Sequence, residues 1–131
     1  MKIKILAWMN IFFLMACSFS QKVKDGEMAF ERKQYSVAVA MLEKEFEEVK
    51  KESGKAMKAD LLGNAYGRLL EYQESKDWYS KSVKLNYGAE ALTGYAKTCK
   101  SLEDYESAIE AYQKLGAITG RKLETDREVL L

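Results

Sequence analysis

Asp60, Asn64 and Arg68 stand four residues apart, the spacing that sets side chains in one row along a helix. Thr93, Lys97 and Lys100 make a second polar row further along the chain. Arg offers a planar fork that matches a carboxylate, while Lys acts as a mobile point charge. Rows of this kind suit a peptide carboxylate or an acidic side chain. The same residues read equally well as ordinary solvated charge. Catalysis has less to work with. The chain has no His, the commonest general base and metal ligand. Its two Cys, Cys17 and Cys99, lack metal-ligand spacing, and no Gly-rich loop of the phosphate-cradling kind is present. Glu43, Glu45, Glu47 and Glu48 spread around a helix and read as a solvated face. The expectation is a protein that is not an enzyme and needs no metal or cofactor.

The elements that must position these rows are helices. The 131 residues include no Pro and only 8 Gly, and 31% are charged. No stretch alternates apolar and polar residues as a strand would. The periodicity predicts helices over about 22–33, 36–52, 55–71, 73–86, 88–101 and 104–116, with a further segment at 121–130. Breaks are expected at Gln34-Tyr35, Ser53-Gly54, Asn86-Tyr87-Gly88 and Leu102-Glu103-Asp104, where Gly and Asn supply left-handed caps.

Residues 1–20 read as a secretory signal. Lys2 and Lys4 open it, and Ile5 to Ala16 is an apolar run broken only by Asn10. Roughly 20 apolar residues are needed to cross a bilayer, so the run is short for a membrane span. Two cleavage sites compete. Leu14-Met15-Ala16-Cys17 resembles a lipobox, which would lipidate Cys17. Ser18-Phe19-Ser20 before Gln21 offers the small residues of an ordinary site, and this second site is preferred. If Cys17 leaves, Cys99 has no disulfide partner and is expected to be a buried small hydrophobe. Overall, 21 basic and 20 acidic residues nearly cancel, and the leader removes two of the basic ones. Such a surface has no field to gather nucleic acid or anionic lipid.

Self-similarity is the strongest pattern. Tyr35-x-x-Ala38-x-x-x-Leu42 recurs as Tyr72-x-x-Ser75-x-x-x-Tyr79 and as Tyr105-x-x-Ala108-x-x-x-Tyr112, at intervals of 37 and 33 residues. Leu62-Gly63-x-x-Tyr66 likewise returns as Tyr95-Ala96-x-x-Cys99. The longer first interval fits a longer helix and loop around Lys50 to Lys55. Gly63 and Ala96 are small where one helix must approach its mate. Ala38, Ser75 and Ala108 are small on the facing helix, and Leu42, Tyr79 and Tyr112 fill the space one turn later. Tyr66, Tyr72, Tyr95 and Tyr105 are expected in the inter-helix core beside Tyr79 and Tyr112. Trp78 is expected either on the neighbouring pair or in solvent.

A period near 34 with two helices per unit resembles the tetratricopeptide repeat (TPR) over roughly residues 22–120. That resemblance implies an all-α fold of antiparallel helix pairs stacked as a short right-handed solenoid. It makes 21–117 the repeat domain, of about three pairs, and 118–131 a capping helix or linker. First helices of the pairs would line a concave face, which would carry Asp60, Asn64, Arg68, Thr93, Lys97 and Lys100. Second helices would build the convex side, so Glu43, Glu47 and Lys50 should be inert there. The chain departs from the family at several places. The usual closing Pro is absent, with Tyr87 and Gly120 in its place. Leu70 or Glu71, and Glu103, replace the usual turn Gly. In the first unit only Gly26, Tyr35, Ala38 and Leu42 align.

The segments AFERKQYSVAVAMLEKEF, ESKDWYSKSVKLN and GYAKTCKSLEDYESAIEAYQKL further resemble the N-terminal region of Bacteroidetes OmpA-family envelope proteins. This implies an exported protein of the periplasm, with outer-membrane association, that holds a protein or peptide partner. Nucleic acid is not expected, and membrane attachment is expected only through lipidation at Cys17. The alternative is a spacer or self-association unit of an envelope-anchored, truncated member of that family. Peptidoglycan binding does not carry over, because the residues for it would lie in a later domain.

Overall fold

The computed structural model describes residues 22–120. The leader, Cys17 and the 121–130 segment therefore lie outside the described residues. Six helices follow one another: α1 (Gly26–Glu31), α2 (Tyr35–Glu48), α3 (Glu52–Arg68), α4 (Tyr72–Lys84), α5 (Ala89–Ser101) and α6 (Tyr105–Thr119). No strand occurs among the described residues. Each helix packs on the next as an adjacent antiparallel neighbour. Beyond sequence neighbours, the backbones of α1 and α3 and of α3 and α5 come close, whereas α2 and α4 meet through side chains, Phe46 against Trp78. The first helices of the three pairs therefore form one continuous row.

The turns within pairs recur with the sequence interval. Lys33, Leu70 and Glu103 all take φ near +60° (59°, 64° and 59°). One residue later, the amides of Gln34, Glu71 and Asp104 donate to the carbonyls of Ala29, Tyr66 and Cys99 at 2.9, 3.0 and 2.9 Å. Each reaches back around the helix end and satisfies an otherwise orphaned carbonyl. Side chains cap two helix starts. Asp25 accepts from the Met28 amide at 2.8 Å, and Asp104 accepts from the Ser107 amide at 3.2 Å.

Several boundaries differ from expectation. Ser53 and Gly54 lie inside α3, and the chain instead breaks at 49–51 in extended backbone. Gly54 is small for another reason: a Cβ there would come 2.8 Å from Val49 Cγ1, so it allows the chain to double back closely. The 17 residues of α3 against 13 for α5 account for the longer first interval. Helix α6 runs on to Thr119 because Gly116 is buried in its wall, and the left-handed cap is Gly120 (φ 66°).

The small-for-large pairing sets the helix spacing. A Cβ on Gly63 would meet the Tyr79 ring at 2.7 Å, and Ala96 packs in a cluster with Tyr112. Ala38, Ser75 and Ala108 are fully buried, as is Cys99, whose thiol pKa is raised by burial. Ser75 Oγ donates to the Gly63 carbonyl at 2.6 Å and lies 3.2 Å from Thr98 Oγ1. Thr98 Oγ1 in turn bonds the Gly94 carbonyl at 2.9 Å, and Ser82 Oγ bonds that of Ala56 at 2.8 Å. Trp78 reaches the preceding pair, edge-on to Phe46 with ring centres 5.1 Å apart. Tyr105 departs from expectation: it is 45% exposed, whereas its repeat counterparts Tyr35 and Tyr72, which also open their helices, are partly buried.

Candidate functional site

The row formed by α3 and α5 leaves a shallow groove of about 550 Å³ between them. Asp60, Asn64 and Arg68 line one wall, and Glu90, Thr93 and Lys97 line the other. Tyr79, Ala89 and Gly94 complete it. Five of the six residues singled out from the sequence thus share one groove. Lys100 does not line it. It stands nearly one turn beyond Lys97, past the last residue of that wall, and Ser101 beside it does not line the groove either. Ser101 is also the repeat counterpart of Arg68.

Four groove residues escaped the sequence reading: Tyr79, Ala89, Glu90 and Gly94. Glu90, Thr93, Gly94 and Lys97 form an i, i+3, i+4, i+7 stripe, so the spacing held a signal for Glu90 and Gly94. Tyr79 was assigned to the core. It is there, 8% exposed, and it also floors the groove. The base of its ring lies against Gly63 and its tip against Gly94, which bears no side chain to exclude it.

The groove is electrically uneven along its length. At one end the Asp60 carboxyl is partly buried, and its Oδ1 has no hydrogen-bond partner among the described residues. Burial, and then the charge of Glu90, push its pKa up to about 6. The Tyr87 hydroxyl stands at the same end; burial and the carboxylates of Asp60, Glu90 and Glu27 raise its pKa. Carboxylates from α1, α3 and α5 therefore converge there. The Tyr79 hydroxyl lies between the two ends. Burial and Asp60 raise its pKa, and Arg68 opposes them. Arg68 is two turns beyond Asp60 on α3, and Lys97 two turns beyond Glu90 on α5. Both cations are exposed.

The acidic residues of α2 are not all a solvated face. Glu43 Oε1 accepts the Tyr66 hydroxyl at 2.6 Å, and burial, with that bond, pushes Tyr66 up to about 12. Glu45 Oε1 accepts the Gly26 amide at 2.7 Å, and its Oε2 lies 2.7 Å from Lys58 Nζ. These contacts tie α1, α2 and α3 together, so Glu43 is not an inert outer residue. Lys50 lies past the end of α2, in the connection to α3.

Among the described residues, no group of three or more His, Cys, Asp or Glu is placed to hold a metal ion. No described helix is long and apolar enough to cross a membrane. In comparisons with known proteins, no protein-family model and no curated protein matches the chain.

Proposed function

We propose that this chain is a non-catalytic, TPR-type interaction module of the bacterial cell envelope, whose α3–α5 groove holds an extended segment of a protein partner. The observation that carries this reading is the convergence of Asp60, Asn64, Arg68, Thr93 and Lys97 on one groove. Polar side chains from parallel walls can grip a peptide backbone, and Arg68 with Lys97 offers a carboxylate two cationic contacts. Export to the periplasm rests on the leader at residues 1–20.

The test is crosslinked capture from envelope extracts with three proteins. One is wild type, one carries Arg68→Ala with Lys97→Ala, and one carries Lys44→Ala with Lys50→Ala outside the groove. The expected result is a defined set of partners lost only with the groove variant, with capture by wild type falling as salt rises and the remnant captured by the variant less sensitive to it. Equal recovery by all three removes the groove from the reading. Recovery of the chain's own copies alone favours a spacer or self-association role.

A further inference from the structure

The groove carries both signs of charge, at opposite ends. Asp60 and Glu90, with Glu27 close by, make one end, and Arg68 and Lys97 make the other. On α3 the two charges are eight residues apart, about 12 Å at 1.5 Å per residue. On α5 Glu90 and Lys97 are seven apart, about 10 Å by the same rise. A seat for a carboxylate alone explains the basic end only. It leaves Asp60 Oδ1 buried without a hydrogen bond, beside a second carboxylate. A buried unpaired acceptor is costly, and a donor from outside the chain would relieve it.

We propose that the groove is a dipolar seat for an extended peptide segment, with a Lys or Arg of the partner at the Asp60–Glu90 end and an Asp or Glu at the Arg68–Lys97 end. This rests on the groove reading given above and specifies the partner's chemistry. An extended chain advances about 3.3 Å per residue and alternates its side chains between faces, so the two partner charges stand four residues apart, about 13 Å. The incoming ammonium or guanidinium donates to Asp60 Oδ1, and Tyr79 supplies the apolar floor beneath its stem. Asn64 and Thr93, midway along the walls, face the peptide backbone.

Binding of the cation favours the ionised form of Asp60. The groups facing this carboxyl are Glu90 from α5, Tyr79 from α4, Tyr87 from the α4–α5 connection, and Arg68 on α3 itself, with Glu27 of α1 beyond Tyr87. Asp60 is the member of this set whose protonation changes near pH 6. Affinity for the cation should therefore fall between pH 7.5 and 5.5.

The experiment titrates blocked heptapeptides into 15N-labelled protein and follows the amides of Asn64, Thr93, Gly94 and Lys97. The probes carry Lys and Glu four residues apart in either order, Glu alone, or Lys alone. The expected result is that one Lys–Glu order binds at least about fivefold tighter than Glu alone, the scale of one partly desolvated ion pair. Asp60→Asn should erase that preference and remove the loss at pH 5.5. If Glu alone binds as tightly as the mixed peptides, or Asp60→Asn keeps the preference, the dipolar seat is wrong and a simple acid-binding groove remains. If no peptide moves the groove amides, both readings fall.

Discussion

Tyr79 occupies the space that a side chain on Gly94 would need, so a residue of α4 reaches through to touch the backbone of α5. Gly94→Ala should therefore force the ring aside. Overpacking of this kind costs about 1–3 kcal/mol. Replacing a mid-helix Gly with Ala returns up to about 1 kcal/mol. A net loss of about 1 kcal/mol is expected from urea unfolding, and Tyr79→Leu in the same chain should reverse much of it. An unchanged midpoint for Gly94→Ala would place the ring elsewhere.

Leu70 holds φ at 64° with its side chain 70% exposed, so it bears left-handed strain without compensating burial. Leu70→Gly relieves that strain, worth about 1–2 kcal/mol in a left-handed position, against roughly 0.5–1 kcal/mol of added chain entropy. A small rise in melting temperature is expected. A fall would mean that Leu70 packs against something.

Ala108→Arg puts a long cation where no exposed surface remains, between α5 and α6. Strain and unpaired burial together should cost at least about 3 kcal/mol. Circular dichroism melts should show early loss of part of the helix. A melting curve superimposable on wild type would disprove this repeat register.

Asp60 and Asp104 should respond to acid in opposite senses. The folded pKa of Asp60, about 6, lies above its ordinary value. Between those values the folded state holds more protons than the unfolded chain, so acidification through this window stabilises it. Asp60→Asn should then be more stable than wild type at pH 7.5. Allowing for solvent screening, the gain is on the order of 1 kcal/mol. It should shrink as pH falls through 6 and vanish near 4. A pH-independent difference between the two proteins would show that the carboxyl is fully solvated.

Asp104 has the reverse linkage. Lys76 Nζ lies 2.6 Å from its Oδ2, and this bond, with those from Ser107, holds the carboxyl down to about 2. Its contribution is present above the ordinary carboxylate range and is lost as pH falls toward 2. Asp104→Asn keeps a capping side chain but loses the ion pair. The variant should be the weaker protein at neutral pH and should converge on wild type in strong acid. Parallel acid-denaturation curves would assign the helix cap, rather than the Lys76 pair, the larger share.

Much of this architecture was legible because backbone and packing repeat with the chain. The small positions Ala38, Ser75 and Ala108 return at 37 and 33 residues, and so do the turns at Lys33, Leu70 and Glu103. The break before α3 was not legible, because Gly54 looks like a helix cap and serves a close approach to Val49 instead. In helix α4 two of the three buried side chains are the serines Ser75 and Ser82, satisfied by α3 carbonyls, a burial that polarity along the chain does not reveal for Ser82. In the groove, spacing found the walls but not the floor: Tyr79 comes from another helix, which no count along α3 or α5 reaches. Lys100 shares the stripe of Thr93 and Lys97, but the groove wall ends at Lys97, and spacing along a helix does not say where a groove ends.

The shared ring of Tyr79 and the Ser75–Thr98 contact also bear on how the chain comes apart. Stacked helical pairs can fray one unit at a time, each with its own opening energy. Here α4 cannot leave α3 without also vacating its seat on α5. The second and third pairs should therefore open as one cooperative block, with matched amide-exchange rates in α3 and α5. Among the described residues α1 is the shortest helix, six residues long, and it is held by the Glu45 bond to Gly26 and by Ala29 in the core beside Leu42, so it should open at lower cost than that block.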